Sequence, residues 1–538
     1  MTGVRRPQPG RWLALVFLAA GLVVLAGCAR FPQKADFTVV NGAEPQTLDP
    51  AVISGQAEGR IAQTLFEGLL ARNAKGELIP GVAERWELSE DGKTLTFHLR
   101  EDARWSNGDP VKSTDYAESW KRVLTPATGS VYSELLYSVQ GAQEYLDGEI
   151  TDWEQVGVKT PDERTLVVTL NNPTPYFLDL TAFTTLLPVH TPSIEEHGDD
   201  WFKPGKLVSN GPFVLEDWYI NDRLRLRKNP QYWRRDEVDF ETIDVLPTSD
   251  PTTAFNQFLA GEADLVADKQ RVPPYLVDAI KGEDWFHSSP ILATFFYRFN
   301  VDRPPFDNLK VRRALALAVD KAYIVEKITK AGEPVTGALT PPGTALGTYT
   351  PPEGLGYDPE EARRLLAEAG YPGGEGIPRF SILYNTDPVN KTIAEAIQDM
   401  WQRELGVESD LQNQEWKVYL DTLSNRNYDV ARSSWVGDYN DPNTFLDCFV
   451  TDRGNNRTGW SNAAYDELIA VQAPREVDPQ KRFDLMLEAE RILVEEELPI
   501  IPIYNFVGIA LFRDNLGGFY ANPIDEHPWA AMFWKDGE

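Results

Sequence analysis

The sequence predicts an α/β protein, because strand patterns and helix patterns alternate along its 538 residues without an internal repeat. The clearest strands are predicted at residues 84–88 and 94–100, which flank Asp91-Gly92, a strong hairpin turn signal. Apolar and polar residues alternate in the second arm, so one face of this hairpin is expected to pack and the other to meet water. Further strands are predicted at 165–170 and 224–227.

Three segments carry helix patterns. In the first, Asp358 is expected to cap the helix, Glu361 completes a capping box, and Gly370 ends the helix. The dipeptide Asp478-Pro479 begins a second helix in the same way. The third segment, 308–330, places apolar side chains on one face and is predicted to be a helix throughout.

The first 28 residues have the pattern of an export signal. Three arginines precede an apolar run at 12–25 that is too short to span a bilayer comfortably. The run ends in Leu25-Ala26-Gly27-Cys28, which resembles a bacterial lipobox. That resemblance implies removal of residues 1–27 and a lipid on Cys28. The alternative is an ordinary secretory signal in which Cys28 is incidental, and in either case the body of the protein is exported.

The mature chain is expected to be strongly acidic. Removing residues 1–27 takes away three of the 52 basic residues and none of the 82 acidic ones, which gives a net charge of −33 over 511 residues. Repulsion from the DNA backbone disfavours nucleic acid as a partner. A chain of this length has room for two or three domains with buried cores. It contains no second apolar run of about twenty residues, so we expect nothing beyond the lipid to enter a membrane.

Motifs for covalent chemistry are missing from the sequence. There is no Gly-x-x-x-x-Gly-Lys-Ser/Thr loop and no Gly-x-Ser-x-Gly elbow. The only cysteines are Cys28 and Cys448, so a lipid on the first leaves no intrachain disulfide. None of the five histidines pairs with another or with Cys448 at zinc-ligand spacing. We therefore expect no enzymatic activity, no cofactor and no metal site.

Several sequence blocks together resemble the peptide-binding branch of the extracytoplasmic solute-binding proteins of ABC importers, the peptide/nickel family (family 5). The blocks are NGAEPQTLDP at 41–50, LFEGLL at 65–70, GVAERW at 81–86, WSNGDP at 105–110, SNGPF at 209–213, NPQYW at 229–233, PPFDN at 304–308, VRRAL at 311–315 and WVGDYNDP at 435–442. Their order and spacing cover nearly the whole mature chain, and they are most similar to oligopeptide-binding lipoproteins.

The resemblance implies the fold of periplasmic binding proteins: two lobes joined by a hinge, with an additional inserted domain. The expected parts are a signal peptide (1–27), a discontinuous first lobe (28–66, 190–290 and 504–538), an inserted subdomain packed on it (67–189) and a second lobe (291–503). Hinge strands are expected near 289–299 and 500–506, and closure on ligand would be a hinge motion that the permease reads.

The resemblance also implies a set of ligand-binding residues. A receptor that tolerates many peptide sequences must hold the termini by charge and the backbone by strand-like hydrogen bonds. Asp438 would anchor the ligand ammonium, and Trp435 would wall the first side-chain pocket. The remaining expected contacts are the backbone of Ser434 and Val436, the facing segment at Ser54 and Gln56, the hydroxyl of Tyr132, and Arg432 as a partner for the ligand carboxylate.

This chain departs from its relatives where they receive the ligand's C-terminus. A second arginine and a histidine of close relatives are replaced by Leu423 and Asn390. Arg426 is a possible substitute. The anchor for the C-terminus, and with it the ligand length, is left open.

The function that the resemblance implies is capture of short peptides by a monomeric, lipid-anchored receptor outside the membrane, which delivers them to the permease subunits of an ABC transporter. One alternative is another solute in the same fold, such as an oligosaccharide or a metal chelate. Another is a secreted glycoside hydrolase working with two carboxylates. Signalling to a second membrane protein remains an open addition.

Overall fold

Strands form the frame of the protein, whose computed structural model describes residues 34–267 and 272–535. In these ranges the strands are β1 (Phe37–Val40), β2 (Leu70–Arg72), β3 (Leu78–Pro80), β4 (Ala83–Leu88), β5 (Thr94–Leu99), β6 (Val158–Asp162), β7 (Thr165–Thr169), β8 (Phe213–Tyr219), β9 (Arg223–Lys228), β10 (Thr242–Leu246), β11 (Leu265–Ala267), β12 (Phe286–Phe299), β13 (Phe380–Asn385), β14 (Ser409–Gln414), β15 (Val430–Val436), β16 (Ile500–Phe512), β17 (Leu516–Gly517) and β18 (Phe533–Trp534).

Helices of one to five turns connect these strands. They are α1 (Gln56–Leu65), α2 (Ser113–Val123), α3 (Ala142–Leu146), α4 (Phe177–Leu180), α5 (Thr191–His197), α6 (Pro251–Ala260), α7 (Pro274–Ile280), α8 (Leu309–Leu317), α9 (Lys321–Tyr323), α10 (Pro359–Glu368), α11 (Pro388–Leu405), α12 (Trp416–Ser424), α13 (Asn443–Leu446), α14 (Ala463–Asp466) and α15 (Pro479–Arg491). Turns of π-helix follow three of them, at Ile324–Thr329, Glu467–Gln472 and Ile492–Glu497.

One mixed sheet extends through the part of the chain from Phe37 onward. Its strand order is β14-β13-β15-β12-β16-β11-β1-β10-β9-β8. The two long central strands, β12 and β16, pair antiparallel from Phe286 opposite Leu511 to Arg298 opposite Ile500. All of β16 is buried, and its nearly continuous apolar sequence is typical of a strand covered on both faces.

Separate hydrophobic cores lie toward the two ends of this sheet. Toward one end, β13 and β15 pack with α8, α10 and α11, and α13 and α15 form a second core with the turns around them. Toward the other end, one core contains β1, β9 and β10, and a smaller one joins β11 to α6 and α7. The molecule therefore has two lobes, and β12 and β16 run between them.

A second sheet has the order β4-β5-β7-β6 and is antiparallel throughout. Leu95, Phe97 and Leu99 are buried on one face of β5, and they belong to the same core as β1 and β10. The inserted part therefore packs on the first lobe, which confirms the two-lobed α/β architecture with an added domain. All four strands fall within the predicted limits 67–189, although the exact domain boundaries remain a prediction.

Most of the local predictions are confirmed. The hairpin at 84–88 and 94–100 is β4 and β5, and the strands at 165–170 and 224–227 are β7 and β9. Asp358 and Asp478 cap α10 and α15 through side-chain bonds to backbone N–H groups. The predicted single helix at 308–330 is wrong. It breaks after Leu317, because Asp320 caps a new turn by accepting from Tyr323 N at 3.0 Å.

Cys28 and the predicted leader lie outside the described residues. Within 34–267 and 272–535, no helix has both the length and the apolar character needed to cross a membrane. Neither of these two observations tests the predicted lipid anchor.

Candidate ligand-binding site

A cavity of about 1180 Å³ lies beside β15 and β16. Its volume is slightly above the range of about 300–1,000 Å³ that is common for small-ligand sites. The wall is built from segments far apart in the chain, including the start of α1, the turn at Tyr132, the start of α11 and the end of β15. Seven of the eight predicted ligand contacts line it: Asp438, Trp435, Ser434, Val436, Tyr132, Gln56 and Ser54.

The end of β15 presents a free edge to this cavity. On one side the strand pairs with β12 along its whole length, from Val430 to Val436. On the other side it pairs with β13 only at Val430 and Ala431. Beyond Ala431 the ladder on that side stops, so the edge can accept an extended guest as an added strand.

The backbone groups of Ser434 and Val436 point to this free edge. Gly437 N donates to Leu292 O on the β12 side at 2.7 Å. Backbone groups of alternate residues face opposite edges of a strand, so those of Val436 and Ser434 face away from β12. Arg432, two residues before Ser434, fits this alternation. Its carbonyl oxygen also faces away from β12, because it accepts a hydrogen bond from the Tyr419 hydroxyl on α12. The predicted backbone contacts are therefore available to a guest.

Asp438 follows directly after β15, in a turn that is held at two points. Its own N–H donates to Thr444 Oγ1 at 3.0 Å. Three residues on, the Asp441 carboxylate accepts two bonds from the Arg482 guanidinium, at 2.7 and 2.8 Å, and both side chains are buried. The carboxylate of Asp441 also accepts from Asn443 N at 2.9 Å. This turn fixes the Asp438 backbone while its side chain remains available to the cavity.

The Asp438 carboxylate has no cationic partner within 4 Å among the described residues. Burial, together with the nearby negative charge of Glu134, raises the pKa of Asp438 from 3.8 to about 7. The pKa of Tyr132 is also raised, most strongly by the charge of Asp438, so this phenol lies next to the carboxylate. An ammonium placed between these two groups would supply the positive partner that the Asp438 carboxylate lacks among the described residues.

A partly buried ion pair fixes another part of the cavity wall, at the segment before Ser54. Arg122 on α2 donates to Asp49 at 2.8 Å, and Asp49 accepts from Ala51 N at 3.1 Å in the turn before Ser54. Gly55 is extended, and Gln56 begins α1. Ser54 and Gln56 therefore reach the cavity from a constrained turn.

Aromatic rings form much of the remaining wall. Trp435 is half-buried, and its Nε1 has no hydrogen-bond partner among the described groups. Trp416 is 51% exposed, and Tyr275 is 69% exposed. Tyr504 and Phe506 of β16 also line the cavity. Such rings can pack on apolar side chains and can also accept cations on their faces.

Arg432 does not line the cavity. Its guanidinium is buried 4.9 Å from the centre of the Phe295 ring, and its Nε has no partner among the described residues. The structure therefore does not place it where a ligand carboxylate would reach it, although the proposed contact itself remains a prediction. Asn390 and Leu423, at the positions where relatives carry a histidine and an arginine, are both buried. Arg426, the possible substitute, is exposed and pairs with Asp302 at 2.8 Å.

Several cavity carboxylates were not expected from the sequence, among them Glu333 and Asp387. Glu333 lies in the loop after the π-helical turn at Ile324–Thr329, and Asp387 is the N-cap of α11. The Asp387-Pro388 pair is a signal for the start of a helix, and nothing in the pattern links it to a ligand. Among the described residues, no group of three or more histidine, cysteine, aspartate or glutamate side chains is arranged to hold a metal ion.

Comparison with known proteins decides the family. The family model for bacterial extracellular solute-binding proteins, family 5 Middle, matches residues 77–457. The chain belongs to this family. It is 37% identical over 526 residues to the periplasmic oligopeptide-binding protein OppA of Escherichia coli, covering 95% of each chain.

Further relatives support the fold, and one of them is named for a ligand that is not a peptide. The crystal structure of Haemophilus influenzae OppA in complex with RPPGFSPFR matches with a TM-score of 0.83 and 34% identity, over 94% of this chain and all of that one. The probable deoxycholate-binding periplasmic protein YgiS of E. coli is 35% identical over 524 residues, 96% of each chain. The protein is therefore an extracytoplasmic solute-binding protein and not an enzyme.

Proposed function

We propose that this solute-binding protein captures short peptides in its cavity and delivers them to the permease of an ABC importer. The observation that carries the proposal is the Asp438 carboxylate, which faces the cavity without a cationic partner among the described residues. A peptide supplies an ammonium for this group. It also supplies backbone donors and acceptors for the free edge of β15.

The proposal includes a lipid on Cys28 as the only attachment to the membrane. Its support is the sequence Leu25-Ala26-Gly27-Cys28 after an apolar run. A receptor held this way stays close to its permease and acts as a single copy. Related peptide receptors such as E. coli OppA support the class of ligand.

The competing ligands differ from a peptide at the Asp438 end of the cavity. An oligosaccharide has no ammonium, and neither does a bile acid of the kind named for YgiS. Both could still pack on the aromatic wall, so the charge of Asp438 separates the classes. A glycoside hydrolase is excluded by membership of the family.

Thermal denaturation with a panel of ligands tests the proposal. Trialanine is expected to raise the melting temperature in a concentration-dependent manner, because a ligand that binds only the folded state stabilises it. N-acetylated trialanine, xylo- and cello-oligosaccharides and deoxycholate are expected to have little effect. Stabilisation by a sugar or by the bile acid, with none by the peptide, would overturn the assignment.

Peptide affinity is expected to fall as the pH falls below 7. Binding an ammonium requires ionised Asp438, whose pKa in the empty site is about 7. Between pH 7 and pH 5 the ionised fraction drops, and the affinity should drop with it by roughly fifty-fold. Glu134, Tyr132 and the buried thiol of Cys448 are the other titratable groups near this carboxylate.

Isothermal titration calorimetry across this pH range provides the measurement. The α-amino group of the peptide remains protonated below pH 7, so its own titration does not produce the fall. The Asp438→Asn variant is the control and should show a much flatter profile. If the affinity of both proteins fell equally with pH, the titrating group would not be Asp438.

A further inference from the structure

Tyr439, the residue directly after Asp438, has its backbone in one lobe and its ring in the other. The backbone lies in the turn after β15, which Arg482 of α15 holds in the second lobe through Asp441. The ring is only 5% exposed, and it belongs to the hydrophobic core of β1 and β10, which is the core of the first lobe. The side chain of Tyr439 therefore crosses from the second lobe into the first.

The ring that receives Tyr439 is that of Tyr176, which directly precedes α4. The two rings are stacked, with their centres 4.4 Å apart and an angle of 9° between their planes. Asn443 joins them, because its Nδ2 donates to the Tyr439 hydroxyl at 3.0 Å and to the Tyr176 hydroxyl at 3.2 Å. Phe177 and Leu180 of α4 are buried in the first-lobe core, so Tyr176 is fixed to that lobe.

This stack lies next to the ligand-binding site without forming part of its wall. Tyr176 and Tyr439 are not among the described residues that line the cavity, although Asp438 is. Because each ring is held by its own lobe, moving the lobes apart would separate the rings and expose their apolar faces to water. The stack therefore stabilises the arrangement in which the lobes meet.

The neighbouring carboxylate has the opposite effect when the cavity is empty. In the described structure Asp438 has no cationic partner within 4 Å. A buried charge without a partner is strongly unfavourable, so lobes that close without a guest bear this cost. An ammonium at Asp438 removes it and leaves the stack to hold the lobes together. We therefore expect the empty protein to be mainly open.

We propose that the Tyr176–Tyr439 stack is an interlobe latch, which couples capture of a guest at Asp438 to closure of the lobes and strengthens the binding of all peptides alike. Adjacent residues carry the two events, since Asp438 meets the guest and Tyr439 meets the opposite lobe. The apparent affinity of a guest scales with how readily the lobes close on it. The inference rests on the proposed function, and both tyrosines are positioning residues outside the predicted set of contacts.

Tyr176→Leu tests the interlobe latch without changing the turn that carries Asp438. Calorimetry at pH 7.5 with trialanine, triserine and trileucine is expected to show about tenfold weaker binding of each peptide, because the lost stack makes closure less favourable whichever side chains the guest carries. Tyr176→Phe keeps the ring and should bind nearly as the wild type does. Tyr145→Leu, which removes a ring packed on Trp153 at 5.3 Å, is the control and should leave all three affinities unchanged.

Two further measurements show whether the effect passes through the lobes. Stopped-flow fluorescence should give about tenfold faster dissociation of trialanine from Tyr176→Leu with little change in association, because the latch forms only after the guest has entered. In small-angle X-ray scattering, saturating trialanine should reduce the radius of gyration of wild type and variant to the same value, with the variant needing about tenfold more free peptide.

Tyr439→Leu provides the second variant, from the opposite lobe. It is expected to weaken binding as Tyr176→Leu does, again to the same extent for each of the three peptides. The two substitutions together should weaken binding little more than either alone, since both remove the same contact.

The outcomes separate this inference from the function on which it rests. Wild-type affinity in both single variants, or losses that differ among the three peptides, would overturn the interlobe latch and leave peptide capture standing. Slower association with an unchanged dissociation rate would also overturn it, because the lost contact would then act before closure. If the wild-type protein binds none of the three peptides, peptide capture itself falls and the latch falls with it.

Discussion

Replacing Asp438 with asparagine is expected to weaken the binding of a free tripeptide by about 2–4 kcal/mol, which is about 30- to 1,000-fold in affinity. The substitution keeps the size of the side chain and removes the charge that would meet the ligand ammonium. Tyr132 beside it supplies only a neutral hydroxyl, which cannot replace the lost charge. Calorimetry at pH 7.5 measures the change.

N-acetylated peptide provides the matched control. Acetylation removes the ammonium, so the wild-type protein should lose about as much affinity as the variant does. Acetylation and Asp438→Asn together should cost little more than either alone, since both remove the same interaction. Additive losses would show that the carboxylate and the ammonium do not meet.

Unfolding is not expected to explain this loss of affinity. Burial raises the pKa of Asp438 from 3.8 to about 7, so ionising this group destabilises the empty fold. The penalty is absent below pH 3.8, grows as the pH rises and is complete above pH 7. Asp438→Asn should therefore melt at or above the wild-type temperature at pH 8 without ligand. A melting temperature of the variant below that of the wild type would contradict burial as the cause of the raised pKa.

One end of the cavity is predictable from sequence because its parts are close together in the chain. The block at 435–442 contains the carboxylate, the tryptophan and the turn that presents them. The strand before it ends at Val436, and its alternation places the free backbone groups where the resemblance implies. Local sequence and local structure agree here.

The other end of the cavity depends on tertiary contacts that the pattern does not contain. Glu333 and Asp387 are 54 positions apart in the sequence, and only the fold brings both to the wall of the same cavity. Arg432 is on the strand that lines the cavity, yet its guanidinium packs on Phe295 of the neighbouring strand. A resemblance predicts which position holds an arginine, but the direction of that long side chain depends on the residues packed around it.

The secondary structure of the two lobes was also predictable where its signals are local in the sequence. The hairpin of β4 and β5 follows from one turn dipeptide, and the caps of α10 and α15 follow from single aspartates. The break after Leu317 has an equally local cause, the cap at Asp320, which competes with an apolar pattern that continues past it. A side-chain cap can end a helix that periodicity alone would extend.

Arg482→Met is expected to destabilise the protein by about 3–5 kcal/mol, because it leaves the Asp441 carboxylate buried without its partner. The two side chains are only 5% and 8% exposed, and the pair joins α15 to the turn after Asp438. Urea denaturation followed by tryptophan fluorescence measures the change. Arg364→Met, which removes an exposed pair with Glu361 on α10, is the control and should leave the urea midpoint nearly unchanged.

A second substitution separates the lost ion pair from a simple loss of packing. Asp441→Leu in the Arg482→Met background removes the stranded charge, and apolar replacement of a whole buried pair is often close to neutral. The double variant should therefore regain much of the lost stability, although it lacks the bonds that hold the turn. If it stays as unstable as Arg482→Met, the cost came from packing around Tyr176, whose ring stacks on Tyr439 at 4.4 Å. Peptide binding by a stable double variant would then show whether the turn needs this pair to present Asp438.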